Sequence, residues 1–190
     1  SLIALYPLAS HLLLSSDIEI ESWLPRDIIR EADPKLMEKE IKHQLTLTQM
    51  SFSDVVNISL HPASSERSVI VRINLKCPLG LDEIFKIYDG VYDDHNFTFI
   101  SDRTVQIAEV VGTQKCIITF NKPGAGLLEI ICIADARMRG GAGDAVHIMN
   151  LLFALHEKVG LTFKPSIYSS DTADNPDEKE NTPTHSDWFA

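Results

Sequence analysis

The residues best placed to do chemistry lie between Ile130 and Leu155. An apolar run without helical spacing (Leu127, Leu128, Ile130, Ile131, Ile133) reads as a buried strand, and Gly140, Gly141 and Gly143 then form a turn that opens a long apolar helix. The first N–H groups of a helix have no partner within it, glycine lets a ligand approach the backbone, and Arg137 and Arg139 add two positive charges. That is the chemistry of anion binding, to a phosphate or a carboxylate. The same residues also describe a tight crossover that only docks a core helix, and spacing alone does not separate the two readings. His61 beside Pro62, upstream of Arg67, falls at a strand end, where ligand-binding groups gather in open sheets. Asp93-Asp94-His95 has no second ligand pair at fixed spacing, so it reads as solvent-facing and no metal site is expected. Cys77, before Pro78, is the cysteine expected to be most exposed, yet no histidine or helix start flanks it to lower its pKa.

These groups need a scaffold. Pro7 to Ser15 reads as a short helix with Pro7 near its start, where a missing N–H costs nothing. A second helix begins at Asp33-Pro34, a cap followed by proline, and runs to about Leu45 with Lys35, Glu38, Lys39 and Lys42 as a solvated face. Val55 to Leu60 reads as a strand, and Ser68 to Lys76 as a half-buried one with Val69, Val71, Ile73 and Leu75 on one side. Leu81, Ile84, Phe85 and Tyr88 recur at helical spacing, ending at Asp89-Gly90. Lys115–Phe120 and Leu127–Ile133 flank a loop of turn formers and read as a hairpin. Strands interleaved with helices, with at least one hairpin, predict an α+β fold: a mixed, largely antiparallel sheet with helices on one face.

Several stretches, taken together, resemble the N-acetyl-gamma-glutamyl-phosphate reductases. Asp135, Arg139-Gly140-Gly141-Ala142-Gly143, Val146 and Met149-Asn150-Leu151 are similar to that family's closing helix motif, D-N-L-x-K-G-A-A-G-Q-A-V-Q-N-M-N-L, with Arg139 in the lysine place. Val111-Gly112-Thr113-Gln114-Lys115-Cys116 resembles its V-x-G-T-N-x-C segment, and Leu60-His61-Pro62 with Arg67 its P-H-L and P-R-G stretch. The resemblance runs from Leu2 to Leu161. It implies a dimer-forming carboxy-terminal domain of the kind also found in glyceraldehyde-3-phosphate dehydrogenase, Arg67 as a substrate contact, and a place in arginine biosynthesis. The cofactor, NADP, would be held by an upstream nucleotide-binding domain, since no glycine fingerprint follows an early strand here and none is expected in this chain.

The departures bear on catalysis. Matched to the family's P-G-C-Y-P-T signature, Ile3-Ala4-Leu5-Tyr6-Pro7-Leu8 places Leu5 at the nucleophile position, and leucine has no lone pair with which to attack a carbonyl carbon. Arg30 and Ala32 fall at the two histidine positions of H-R-H-x-P-E-I, and nothing between Trp23 and Asp33 corresponds to the S-G-A-G-R substrate loop. Losing a nucleophile that works as one unit with its base costs about a million-fold in turnover, so the matched residues predict a non-catalytic relative, a pseudoenzyme. The alternative is a part of an NADP-dependent oxidoreductase whose remaining groups lie outside this chain.

At 190 residues and 44% hydrophobic content the chain suffices for one domain, expected over residues 1–164, followed by a flexible acidic tail over 165–190 in which Trp188-Phe189 is a docking candidate. It begins at Ser1 and runs straight into Leu2-Ile3-Ala4-Leu5, from which a continuation upstream is expected. Leu2–Leu14 lacks a basic leader and contains Pro7 and His11, unlike a signal peptide, and no run approaches the roughly 20 apolar residues of a membrane span. A net charge of -10 argues against nucleic acid. Three cysteines without C-x-x-C spacing fit the cytoplasm. The expected partners are a second copy, meeting the sheet face left bare by the helices, and an acidic small metabolite near Arg67, Arg137 and Arg139. The last helix, apolar nearly all round, should be buried on more than one side. The resemblance implies that it packs against the nucleotide-binding domain, so a fragment without that domain should expose apolar surface here or cover it otherwise.

Overall fold

A computed structural model describes residues 1–161. Six strands form one mixed sheet: β1 (Ile18–Leu24), β2 (Val56–Pro62), β3 (Ser68–Lys76), β4 (Thr98–Ser101), β5 (Cys116–Asn121) and β6 (Leu127–Asp135), in the order β2-β1-β3-β6-β5-β4. The outer pairs β1/β2 and β4/β5 are parallel, while β1/β3, β3/β6 and β5/β6 are antiparallel. The expected hairpin is β5–β6, with Ile118 opposite Cys132.

Register sorts the side chains. Ile18 and Ile20 of β1, Val71 and Ile73 of β3, and Leu128 and Ile130 of β6 share a face with helices α1 (Leu2–Ser10), α3 (Pro34–Thr48) and α4 (Leu81–Tyr92). Leu5, Leu8, Ile41, Leu45, Ile84 and Tyr88 meet them in one core. The opposite face is partly capped by Val105 and Val110, which pack on Ile133. Its centre is polar: Arg72 pairs with Glu21 and Glu129, lies 5.4 Å over the ring of Trp23, and Trp23 stacks on His61.

Several boundaries differ from the sequence reading. The first helix starts at Leu2 and ends at Ser10, so Pro7 lies inside it. Proline there removes the donor for the Ile3 carbonyl, and the Tyr92 hydroxyl supplies one instead, while the Tyr88 hydroxyl donates to Ala4 O. Burial pushes both phenols up, so both stay protonated as donors. After Ser10 the chain turns through Leu12 in the left-handed region (φ 58°), with Leu13 N donating to Leu8 O and Leu12 N to Ala9 O. Helix α3 is capped as expected, Asp33 accepting from Lys35 N and Leu36 N, but its outer face is not merely solvated. Glu38 accepts from Ile58 N on β2, and Lys42 donates to Ser53 O. Helix α4 passes through Gly90 to Tyr92. Strands β1 and β4 and the six-residue helix α2 (Arg26–Glu31) are absent from the sequence reading.

The final segment is a kinked π-helical turn over Met138–Ala142 followed by α5 (Gly143–Leu152). Its burial is inside out. Only Gly143 and Asn150 are buried, whereas Ile148, Met149, Leu151, Leu152 and Phe153 are exposed, the last two by 77% and 72%. The burial on more than one side expected of this helix is not met among the described residues, and its apolar surface is left open. The proposed domain boundary at 164, the acidic tail and the Trp188-Phe189 pair lie outside the described residues.

Candidate functional site

Everything singled out around the glycine turn converges on the carboxyl end of β6. Asp135, the last residue of that strand, is fully buried. Its Oδ2 accepts from Gly112 N (2.6 Å), Arg67 Nη2 (2.8 Å) and Arg67 Nε (3.1 Å), and its Oδ1 from Arg137 N (2.8 Å) and Met138 N (3.3 Å). One carboxylate thereby fixes the start of β3, the Gly112 turn and the entry to the glycine turn. Arg67 is held side-on by that buried carboxylate, and breaking such a pair costs about 3–5 kcal/mol. The expected substrate arginine is thus already committed to a structural pair.

The other two arginines have aspartates as well. Arg139 Nη1 lies 3.3 Å from Asp144 Oδ1, which also accepts from Gln114 Nε2, and the guanidinium sits 6.0 Å from the centre of the Phe97 ring. Burial pushes the Asp144 carboxyl up, against the pull of Arg139. Arg137 Nη2 meets Asp27 Oδ2 of α2 at 2.8 Å across an open groove of about 460 Å³ lined by Ile28, Glu31, Gly140 and Gly141. All three arginines expected to hold an anion are brought to one end of the sheet, each with a carboxylate on it.

The glycines divide by role. A Cβ on Gly143 would lie 2.0 Å from Gln114 Oε1 and 2.6 Å from Met138 O, so glycine is required there by the chain's own packing. Gly140 has nothing within 4 Å of such a position and faces open space. At Gly143, therefore, the close approach is of Gln114 rather than of a ligand.

A second polar group on α5 has no role expected from its sequence. His147 Nε2 is 3.0 Å from Glu157 Oε2, Glu157 also accepts from Asn96 Nδ2, and the His147 ring stands edge-on to Phe97. Those partners, the Asn96 amide first, hold the Glu157 carboxyl below its ordinary range. Asn150 donates to Glu157 O and Val159 O, clamping the chain after α5 back onto the helix. A signal existed for these residues. Asp144, His147 and Asn150 recur at i, i+3 and i+6 and form a polar stripe on an otherwise apolar helix. Buried and without a hydrogen-bond partner among the described residues are Arg139 Nε, Gln114 Oε1 and Asn150 Oδ1.

The positions matched to catalysis lie apart. Leu5 is fully buried inside α1, in the helix–sheet core, so no side chain there reaches solvent or ligand. Arg30 is on α2 and Ala32 caps it, and α2 itself occupies the stretch that lacks a substrate loop. Cys77 is buried to 1% exposure, contrary to its expected accessibility, because the β3 end is covered by the Gly126 turn, whose carbonyl takes the Cys77 N–H. Cys116 and Cys132 are also buried; its contact with Cys116 and its burial push the Cys132 thiol up. Asp93-Asp94-His95 follows α4, and no group of three ligating side chains suited to a metal occurs among the described residues. Nor is any described helix long and apolar enough to cross a membrane.

Comparison with known proteins decides the relationship. The chain is 36% identical to the N-acetyl-gamma-glutamyl-phosphate reductase of Parabacteroides distasonis, with 85% of this chain and 56% of that protein covered. It is 34% identical to the reductase of Phocaeicola vulgatus, with 87% and 57% covered. This chain is a relative of the N-acetyl-gamma-glutamyl-phosphate reductases. It spans a little over half the length of the curated relatives it matches. The fold agrees: aspartate semialdehyde dehydrogenase II from Vibrio cholerae superposes with a TM-score of 0.58 at 12% identity, over 80% of this chain and 59% of that one. A probable aspartate-semialdehyde dehydrogenase from Pseudomonas aeruginosa gives 0.57 at 13%, over 77% and 57%. The domain is the glyceraldehyde-3-phosphate dehydrogenase-like carboxy-terminal type. No protein-family model matches the chain.

Proposed function

We propose that this chain is the assembly and ligand-holding domain of a semialdehyde-dehydrogenase-like protein of the cytoplasm, without a complete catalytic set of its own. The observation that carries this reading is α5, which turns its polar stripe inward and its apolar side chains outward. A helix so arranged is completed by another surface, and the relatives are long enough to supply a further domain. The open sheet face, with Ile70, Ile131 and Arg72 at its centre, pairs with a second copy. Of the three arginines, Arg137 is the one that takes an acidic metabolite, because its exposed pair with Asp27 is the least costly to break.

A second reading, that the intact protein is an NADP-dependent reductase of the N-acetyl-gamma-glutamyl phosphate type, is favoured by the burial of Leu5. Leu5 is fully buried inside α1, away from any surface a substrate could reach, so a leucine there does not by itself remove a nucleophile from the intact protein, whose thiol would then come from outside this chain. Sedimentation tests assembly: the chain should be a dimer, and Thr119→Arg, which puts a charge on the open face, should yield monomer with unchanged helix content. NADPH oxidation with N-acetyl-gamma-glutamyl phosphate decides between the readings. Turnover by a protein that carries this domain together with its upstream partner supports the reductase. Its absence, with dimerisation intact, supports the non-catalytic domain.

A further inference from the structure

We propose that α2 is a latched lid over the groove beside the glycine turn, with the Asp27 carboxylate standing on Arg137 where the carboxylate or phosphate of a small ligand binds once the lid opens. This rests on Arg137 as the ligand-holding arginine and adds an internal competitor for it.

Helix α2 has six residues and none of them is buried. Helices shorter than about 12 to 15 residues do not hold by themselves in water, so contacts must hold this one. It touches β2, and its ion pair is Asp27 with Arg137 at 2.8 Å, whose side chains are 47% and 53% exposed. An exposed pair of that kind biases an equilibrium by about two- to five-fold, enough to favour the docked position and too little to lock it.

The charges also divide between the two sides. Docked, α2 brings two carboxylates, Asp27 and Glu31, into the groove opposite one guanidinium, so the closed groove repels an anion. Both acids ride on α2 and leave with it. Arg137 stays, because its own N–H is fixed 2.8 Å from Oδ1 of the buried Asp135. Gly140 contributes no side chain to obstruct the space that opens. Docking of α2 and binding of an anion therefore exclude one another, and by linkage each must weaken the other equally.

Hydrogen–deuterium exchange of amides 26–31, together with calorimetric titration of inorganic phosphate, tests this on the full chain. Asp27→Asn should speed exchange in α2 and tighten phosphate binding, each by about two- to five-fold. Saturating phosphate should speed the same amides in the unsubstituted protein. Arg137→Gln should free α2 equally but abolish the phosphate response. Unchanged exchange in Asp27→Asn overturns the latch, and faster exchange without tighter phosphate binding overturns the competition. Either result leaves Arg137 standing as an anion site. Phosphate binding unaffected by Arg137→Gln overturns both the lid and the ligand reading beneath it.

Discussion

Gln114 reaches over the start of α5 and sets its Oε1 where a side chain on Gly143 would begin, 2.0 Å from the ideal Cβ. On an exposed helix, alanine is worth about 1 kcal/mol more than glycine. Here the preference reverses, because the backbone carbonyl of Met138 crowds the same space and cannot swing aside. Gly143→Ala should destabilise the domain by about 1–3 kcal/mol in urea unfolding. Adding Gln114→Ala should recover only part of that loss. Full recovery would show that the carbonyl gives way.

Pro7 and Tyr92 form a complementary pair through the Ile3 carbonyl. Proline withholds the helical donor and the tyrosine hydroxyl replaces it. Tyr92→Phe leaves a poorly solvated acceptor and should cost about 1–3 kcal/mol. In a Pro7→Ala background, which restores an N–H at that place, the same change should cost clearly less. Equal costs in the two backgrounds would mean that the two residues are not coupled.

Leu12 follows α1 at φ 58°, a conformation that costs a non-glycine residue about 1–2 kcal/mol. Its side chain is 67% exposed, so little burial is lost with it. Leu12→Gly should therefore raise the melting temperature, and Leu12→Val should lower it, in parallel thermal unfolding scans.

The tie between α5 and the chain that follows it is sensitive to acid. Asn96 and His147 hold the Glu157 carboxyl below its ordinary value of 4.5. A depressed folded pKa means stability that is present above 4.5 and is lost as pH falls through the lower folded value. Amide protection over residues 153–161 should decline in that acid range. Glu157→Gln should abolish the pH dependence while keeping protection at neutral pH lower than in the unsubstituted protein. A profile unchanged by the substitution would assign the effect to another group; Asp144 on α5 would act with the opposite sign, because burial raises its carboxyl.

Much of the scaffold is legible in the sequence, because β3, α3, α4 and the β5–β6 hairpin each carry a period or a cap that local physics enforces. The misses have local causes. Strand β1 reads Ile-Glu-Ile-Glu-Ser-Trp-Leu, an alternation diluted by its acids, and α2 and β4 are too short to show a period. Pro7 misplaces α1 because its lost hydrogen bond is repaired by a tyrosine 85 positions away, which no local pattern reveals. At the site, the sequence identifies Arg67, Arg137 and Arg139 as charges near a turn. Their aspartate partners come from α2, β6 and α5, so the neutralisation becomes visible only when the chain is folded.

If a further domain covers α5 as proposed, the oily outer flank of that helix ties the solubility of this domain to its neighbour. Leu152 and Phe153 standing in water form an apolar patch that favours self-association until something covers it. On that reading, folding of the covering domain and concealment of this helix would be one event.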